Sequence, residues 1–182
     1  MSDFAGWEEK LDDYRRGLPG AAPVVMGKNG RLEEQLMFSR GARIKNHKLR
    51  GEWAELEFMA RATERGLGVS KPWGESTPYD VAVEQGGRFM RVQVKSTIYK
   101  VGKSYVCNTR PDSDLKPYTM AEIDFLAAYV IPMNLWYIVP AKIATALKGN
   151  IWLSPHKRGH KYERFLEAWE LFRHGLEGSK GR

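Results

Sequence analysis

The chain has 182 residues, 42 % of them hydrophobic and 28 % charged, which fits one globular domain with an extra arm and allows a sizeable core. The net charge of +7 and a pI near 9.5 favour a polyanionic partner, most simply nucleic acid, unless the basic surface is merely solvated. One cysteine, Cys107, excludes an intrachain disulfide; no apolar run nears the ~20 residues of a membrane span, and the charged start "MSDFAGWEEKLDDYRR" lacks a signal peptide's apolar centre, so a soluble, cytoplasmic protein is expected.

Residues 1–50 read as an N-terminal arm ending in a basic segment, and residues 51–182 as the main domain. In the arm, "WEEKLDDYRRGL" reads as a short helix, "GLPGAAPVVMGKNG" as a linker and "RLEEQLMFSR" as a second short helix. The run "RGARIKNHKLR" carries Arg40, Arg43, Lys45, Lys48 and Arg50 without an acid, and is either a solvated face or a phosphate contact. From Gly51, Trp53, Leu56, Met59 and Ala60 recur at steps of three and four and predict one face of an amphipathic helix closed by Gly66; Ala54 and Phe58 fit that face less well. "LGVSKPW" predicts a short strand ended by Pro72, and "SYVCNTR" another strand. In "PYTMAEIDF", Thr119 and Glu122 have the spacing of a capping box for a short helix. The continuous apolar runs "FLAAYVI" and "LWYIVPA" predict strands buried on both faces of a helix-covered sheet. "PAKIATAL" predicts a short helix. Tyr162, Phe165, Trp169 and Phe172 recur at helical spacing and predict a C-terminal helix whose aromatic stripe is core packing rather than a base-stacking platform.

The stretch "PYDVAVEQGGRFMRVQVKST" predicts a hairpin turning on Gly86 and Gly87, where positive φ is wanted. Gln85 then pairs with Arg88, Val81 with Val92 and Asp80 with Gln93, and Lys95 shares the face of Gln93. Val81, Val83, Met90, Val92 and Val94 form the opposite, apolar face. The polar face gathers a carboxylate, an amide oxygen and an ammonium. Asp80 and the Gln93 carbonyl offer two oxygen ligands to a hard cation such as Mg²⁺ (or Mn²⁺), Glu55 on the preceding helix offers a third, and the Lys95 ammonium suits an activated water or the charge that grows on a phosphate. Read alone, the hairpin is more simply explained by an exposed cross-strand Asp–Lys pair with a polar neighbour, worth ~0–1 kcal/mol. As a polar, cation-facing residue, Gln93 is expected to accept replacement by Glu without loss of stability.

Asp80 followed by Gln93-Val94-Lys95, with Glu55 upstream on a helix, resembles the motif of the PD-(D/E)XK nuclease superfamily. The stretches "RGEWAELEF", "STPYDVAVEQGGRFMRVQVKST" and "YTMAEIDFLAAYVIPMNLWYIVPA" are similar in layout to the branch of group I intron homing endonucleases, in which Gln takes the acidic place of the triplet. The proline of the motif is displaced, since Tyr79 precedes Asp80 and Pro78 sits one earlier. The resemblance implies an α/β, restriction-endonuclease-like core of helix, three strands, helix and strand, with a mixed sheet flanked by helices. It also implies Mg²⁺ dependence, cleavage of double-stranded DNA and work as a dimer or tetramer. It leaves open a Holliday-junction resolvase or repair nuclease with the same site, a DNA-binding module whose site has decayed, and an interaction protein on the same scaffold.

The remaining candidates read more plainly. In "HKRGH", His156 and His160 are four apart, yet Pro155 and Gly159 argue for a loop, and His156, Lys157, Arg158 and Lys161 fit phosphate contact better than zinc. Cys107 has no activating partner and reads as a strand residue. Asp124 reads as a capping or solubilising residue.

Overall fold

In a computed structural model the described residues are 41–74, 76–110, 117–147 and 149–174. Arg40 and the arm elements before it lie outside them.

Helix α1 (His47–Glu64) opens where Asn46 caps it, its side-chain oxygen accepting from Leu49 N at 3.1 Å. It therefore begins four residues before Gly51. It closes at Gly66, which takes φ +73°. The buried stripe is Ala54, Phe58, Arg61 and Ala62, spaced i, i+4, i+7, i+8. The face predicted from Trp53, Leu56, Met59 and Ala60 is thus rotated: Trp53 and Met59 flank the core, while Leu56 and Ala60 are exposed. Arg61 disguised the true stripe. Its stem is buried and its guanidinium donates to Asn134 Oδ1 at 3.0 Å, so a charged residue holds an inward position.

The strands β1 (Gly68–Ser70), β2 (Val81–Gln85), β3 (Arg88–Thr97), β6 (Phe125–Val130) and β7 (Leu135–Pro140) form a mixed sheet in the order β1-β2-β3-β6-β7. Only β3 and β6 run parallel. The hairpin forms in the predicted register, Val81 opposite Val92 and Gln85 opposite Arg88, with Gly86 and Gly87 at φ +59° and +75°. A second sheet holds β4 (Lys100–Val101), β5 (Ser104–Asn108) and β8 (Asn150–Leu153) in the order β4-β5-β8. Strands β4 and β8 have no counterpart in the sequence reading. The second sheet supplies the cover over one face that helices were expected to give.

Every residue of β6 is buried, as the apolar run predicted. Its alternation divides two cores. Phe125, Ala127 and Tyr129 join Val81, Val83, Val92, Val94, Trp136 and Ile138 beneath α1. Leu126, Ala128 and Val130 join Tyr137 and Val139 against Tyr105, Cys107, Ile151 and Leu153 of the second sheet. The Tyr129 and Trp136 rings stack at 4.2 Å. Cys107 is a buried residue of β5, as expected, and its burial pushes the thiol up to about 12, away from the nucleophilic thiolate.

Two local expectations change. The short helix predicted at "PYTMAEIDF" is a turn: Glu122 Oε2 accepts from Thr119 N at 2.7 Å, one half of the capping box, but no helix propagates. Helix α2 (Ala141–Ala144) forms as predicted. The C-terminal helix does not. A 3-10 turn spans Glu163–Phe165, Leu166 is extended, Glu167 takes φ +52°, and among the described residues helix α3 covers Leu171–His174. The break lets the segment cross the β7 edge. Tyr162 and Phe165 enter the second core, and Trp169 and Phe172 the first, so the aromatic stripe is core packing. Glu167 fixes the crossing by accepting from Trp136 N at 2.6 Å and Trp169 Nε1 at 2.7 Å.

Candidate active site

The hairpin register brings Asp80 against β3, one residue before β2 begins. Asp80 N donates to Val92 O at 3.0 Å, extending the ladder by one bond. Its Oδ2 accepts from Gln93 Nε2 at 2.6 Å and from Val94 N at 2.8 Å. These bonds fix one carboxylate oxygen against β3. The Asp80 carboxyl is raised to about 6: burial is the largest cause, the Glu55 charge adds to it, and the Val94 N–H, Lys95 and Lys71 pull the other way.

Gln93 is only 7 % exposed. Its amide N–H groups face Asp80, and a half-turn of the amide would present Oε1 in their place. In that environment an ionised Glu would have no donor for Asp80 and would add a buried charge beside it, so the replacement is here expected to cost stability where the sequence suggested neutrality. Lys95 lies two residues on, as predicted, with Nζ 5.9 Å from the centre of the Tyr118 ring. Tyr118 is buried with Ile123 and Ala141, and Tyr79 packs against them. The ring meets the lysine across 23 residues of sequence, so no local pattern could have signalled it.

Glu55 comes from α1. Its Oε2 lies 2.5 Å from Lys71 Nζ. Lys71 was missed in the sequence. The available signal was its place at the end of β1, which pairs with β2 in the register Ser70 opposite Ala82 and so delivers Lys71 to the Asp80 end of the sheet. Asp80 Oδ2 is engaged by an amide and a backbone N–H, while Lys95 acts on the carboxyl through its charge.

Among the described residues no three His, Cys, Asp or Glu gather into a ready-made cation site. The donor set of two carboxylates and one amide oxygen nevertheless fits Mg²⁺, which retains much of its water shell. The half-buried carboxyl of Asp80 beside the Glu55 charge is an arrangement that a divalent cation would relieve.

Of the basic residues, Arg43, Lys45, Lys48, Lys157, Arg158 and Lys161 are exposed. Arg50 instead donates to Ile44 O and His47 Nδ1, both at 3.0 Å, bracing the start of α1. The "HKRGH" stretch is a loop, with Gly159 at φ +68°. Burial and the Lys157 charge lower the His160 pKa. Asp124 is structural. It accepts from Arg91 N at 2.8 Å and from Arg91 Nε at 3.0 Å; against the upward pull of burial, these bonds and the Arg91 charge hold its carboxyl below the ordinary range. Among the described residues no helix is long and apolar enough to cross a membrane.

Residues 45–172 match the family model described as PD-(D/E)XK endonuclease. Among solved structures the chain is similar to a bacterial homing endonuclease, I-Ssp6803I, at 30 % identity and a TM-score of 0.60, covering 69 % of this chain and 90 % of that one. A search among curated proteins returned no significant match.

Proposed function

The chain belongs to the PD-(D/E)XK endonuclease family, and from that premise we propose that it is a Mg²⁺-dependent endonuclease hydrolysing double-stranded DNA in the manner of a homing endonuclease. The observation that carries the reading is the convergence of Asp80, Gln93 and Lys95 at one end of the β2–β3 pair, with Glu55 near enough for its charge to act on Asp80.

Asp80 and Glu55 would hold the cation, with Gln93 contributing Oε1 after its amide turns; Mn²⁺ has the same preference for oxygen donors. When bound, a divalent cation supplies Lewis-acid polarisation of a phosphate and its attacking water. The chain's own part is positioning and charge. Gln93 and the Val94 N–H orient Asp80 before substrate arrives. The Lys95 ammonium, steered by the Tyr118 ring, stabilises the attacking water or the negative charge that develops on the phosphate. Arg40, Arg43, Lys45 and Lys48 before and at the start of α1, and Lys157, Arg158 and Lys161 after β8, hold the phosphate backbone, with Arg50 supporting the first group. A dimer or tetramer would place a second site on the opposite strand.

Supercoiled plasmid incubated with the protein tests the reading. Mg²⁺ should produce nicked and linear forms and a chelator should prevent them. Cleavage unaffected by chelation, or by Asp80→Ala, would overturn it. A four-way junction offered beside linear duplex separates a resolvase from a homing-type enzyme. A second reading, a DNA-binding module that no longer cuts, is favoured by Gln93 donating to Asp80 and by the engagement of Glu55 with Lys71. DNA binding without cation-dependent nicking would select it.

A further inference from the structure

Lys71 stands outside the set that the motif defines, yet it reaches into that set. Its Nζ lies 2.5 Å from Glu55 Oε2. The partners differ in setting: the Glu55 side chain is 17 % exposed and that of Lys71 48 %. A sheltered carboxylate is thus neutralised by an ammonium that approaches from solvent. The charge of Lys71 also acts on Asp80, opposing that of Glu55.

We propose that Lys71 is a placeholder for the divalent cation: its ammonium neutralises Glu55 in the cation-free chain, competes with the cation for that carboxylate, and withdraws when the cation binds. The inference rests on the reading of Glu55 as a cation ligand. Two carboxylates near one another, one of them half-buried, are costly to keep ionised together until a positive charge enters. A divalent cation does this in the working enzyme, and Lys71 does it beforehand. Displacing it costs little, because a half-exposed lysine regains hydration when it lets go. The backbone need not move. Pro72 fixes φ immediately after the lysine, so release uses the flexible four-carbon stem. The pair also limits adventitious occupation, since an incoming ion must outcompete a tethered cation already in contact.

The test reads ion binding. The full chain, without DNA, is titrated with Mn²⁺, and free ion is measured by electron paramagnetic resonance for wild type, Lys71→Met, Glu55→Gln, the double variant and Asp80→Ala. Lys71→Met keeps the stem and, at a half-exposed position, should leave the circular dichroism spectrum unchanged. It should tighten Mn²⁺ binding roughly 1.5-fold to fivefold, the range expected when one competing partly exposed ion pair is removed. Glu55→Gln should weaken binding and cancel most of the gain from Lys71→Met, because the competition runs through that carboxylate. A gain that persists in the Glu55→Gln background would assign the effect to general charge and overturn the proposal. So would binding by Lys71→Met that equals or falls below wild type. Wild-type binding that Asp80→Ala leaves intact would instead refute the underlying site, and the two failures are thereby told apart.

Discussion

Replacing Asp80 by Asn should stabilise the cation-free protein at neutral pH. The Asp80 carboxyl titrates at about 6 in the folded chain against an ordinary 3.8, chiefly because it is buried. The folded state therefore holds the proton more tightly than the unfolded state between those values. Stability conferred by the neutral form is lost as pH rises from ~4 to ~6 and stays lost above. A rise of that size corresponds to ~3 kcal/mol at pH 7.5 and about 1 kcal/mol at pH 4.5. Asn is neutral throughout, and its single carbonyl oxygen can still accept from Gln93 Nε2 and Val94 N. The Asp80→Asn protein should thus gain up to ~3 kcal/mol over wild type at pH 7.5, shrinking toward ~1 kcal/mol at pH 4.5, while losing cleavage. Urea unfolding with excess chelator, followed by circular dichroism across pH ~4.5–8, measures the difference; groups common to both proteins cancel. Equal or lower stability of the variant at pH 7.5, or a gain that does not shrink with acid, would refute the reasoning. A catalytic carboxylate held at a cost to the fold is the trade-off expected of an active site.

Gln93→Glu should destabilise the cation-free protein by about 1–3 kcal/mol at pH 7.5, because it removes the donor to Asp80 and adds a buried charge, and saturating Mg²⁺ should recover part of the loss; thermal melts with and without the ion decide this. Glu167→Ala should cost about 2–3 kcal/mol without changing cation binding, since the carboxylate accepts from Trp136 N and Trp169 Nε1 where the chain crosses between the two cores, and denaturant melts beside a Mn²⁺ titration report both quantities. DNA affinity should fall on the order of 10³-fold between 50 and 200 mM salt if ~6 phosphates are neutralised; a flat profile in fluorescence anisotropy would contradict backbone holding by the basic segments.

The β2–β3 hairpin was legible because two adjacent glycines fix the turn, and strict alternation then fixes which residues share a face. The same alternation, doubled into continuous apolar runs, identified β6 and β7. Failures arose where one signal carried two meanings. Arg61 sits in the buried stripe of α1 with its guanidinium bonded to Asn134, so the hydrophobic count favoured the half-exposed face of Trp53 and Leu56. Tyr162, Phe165, Trp169 and Phe172 keep helical spacing, yet they serve two cores on opposite sides of the sheet, and Glu167 with positive φ separates them. At the site, the β3 face was readable from register and Lys71 follows from its place at the end of β1 once β1 is paired with β2, whereas Tyr118 arrives through long-range packing that no local spacing encodes.

The most direct measurement is the single-turnover rate of Mg²⁺-dependent plasmid cleavage by Lys95→Ala, on protein shown by circular dichroism to be folded. If the Lys95 ammonium acts on the attacking water or on the phosphate charge, the rate falls roughly 10²-fold or more while Mn²⁺ binding and DNA affinity change little. Full cleavage activity in the folded variant would contradict the assignment of this face as a hydrolytic site.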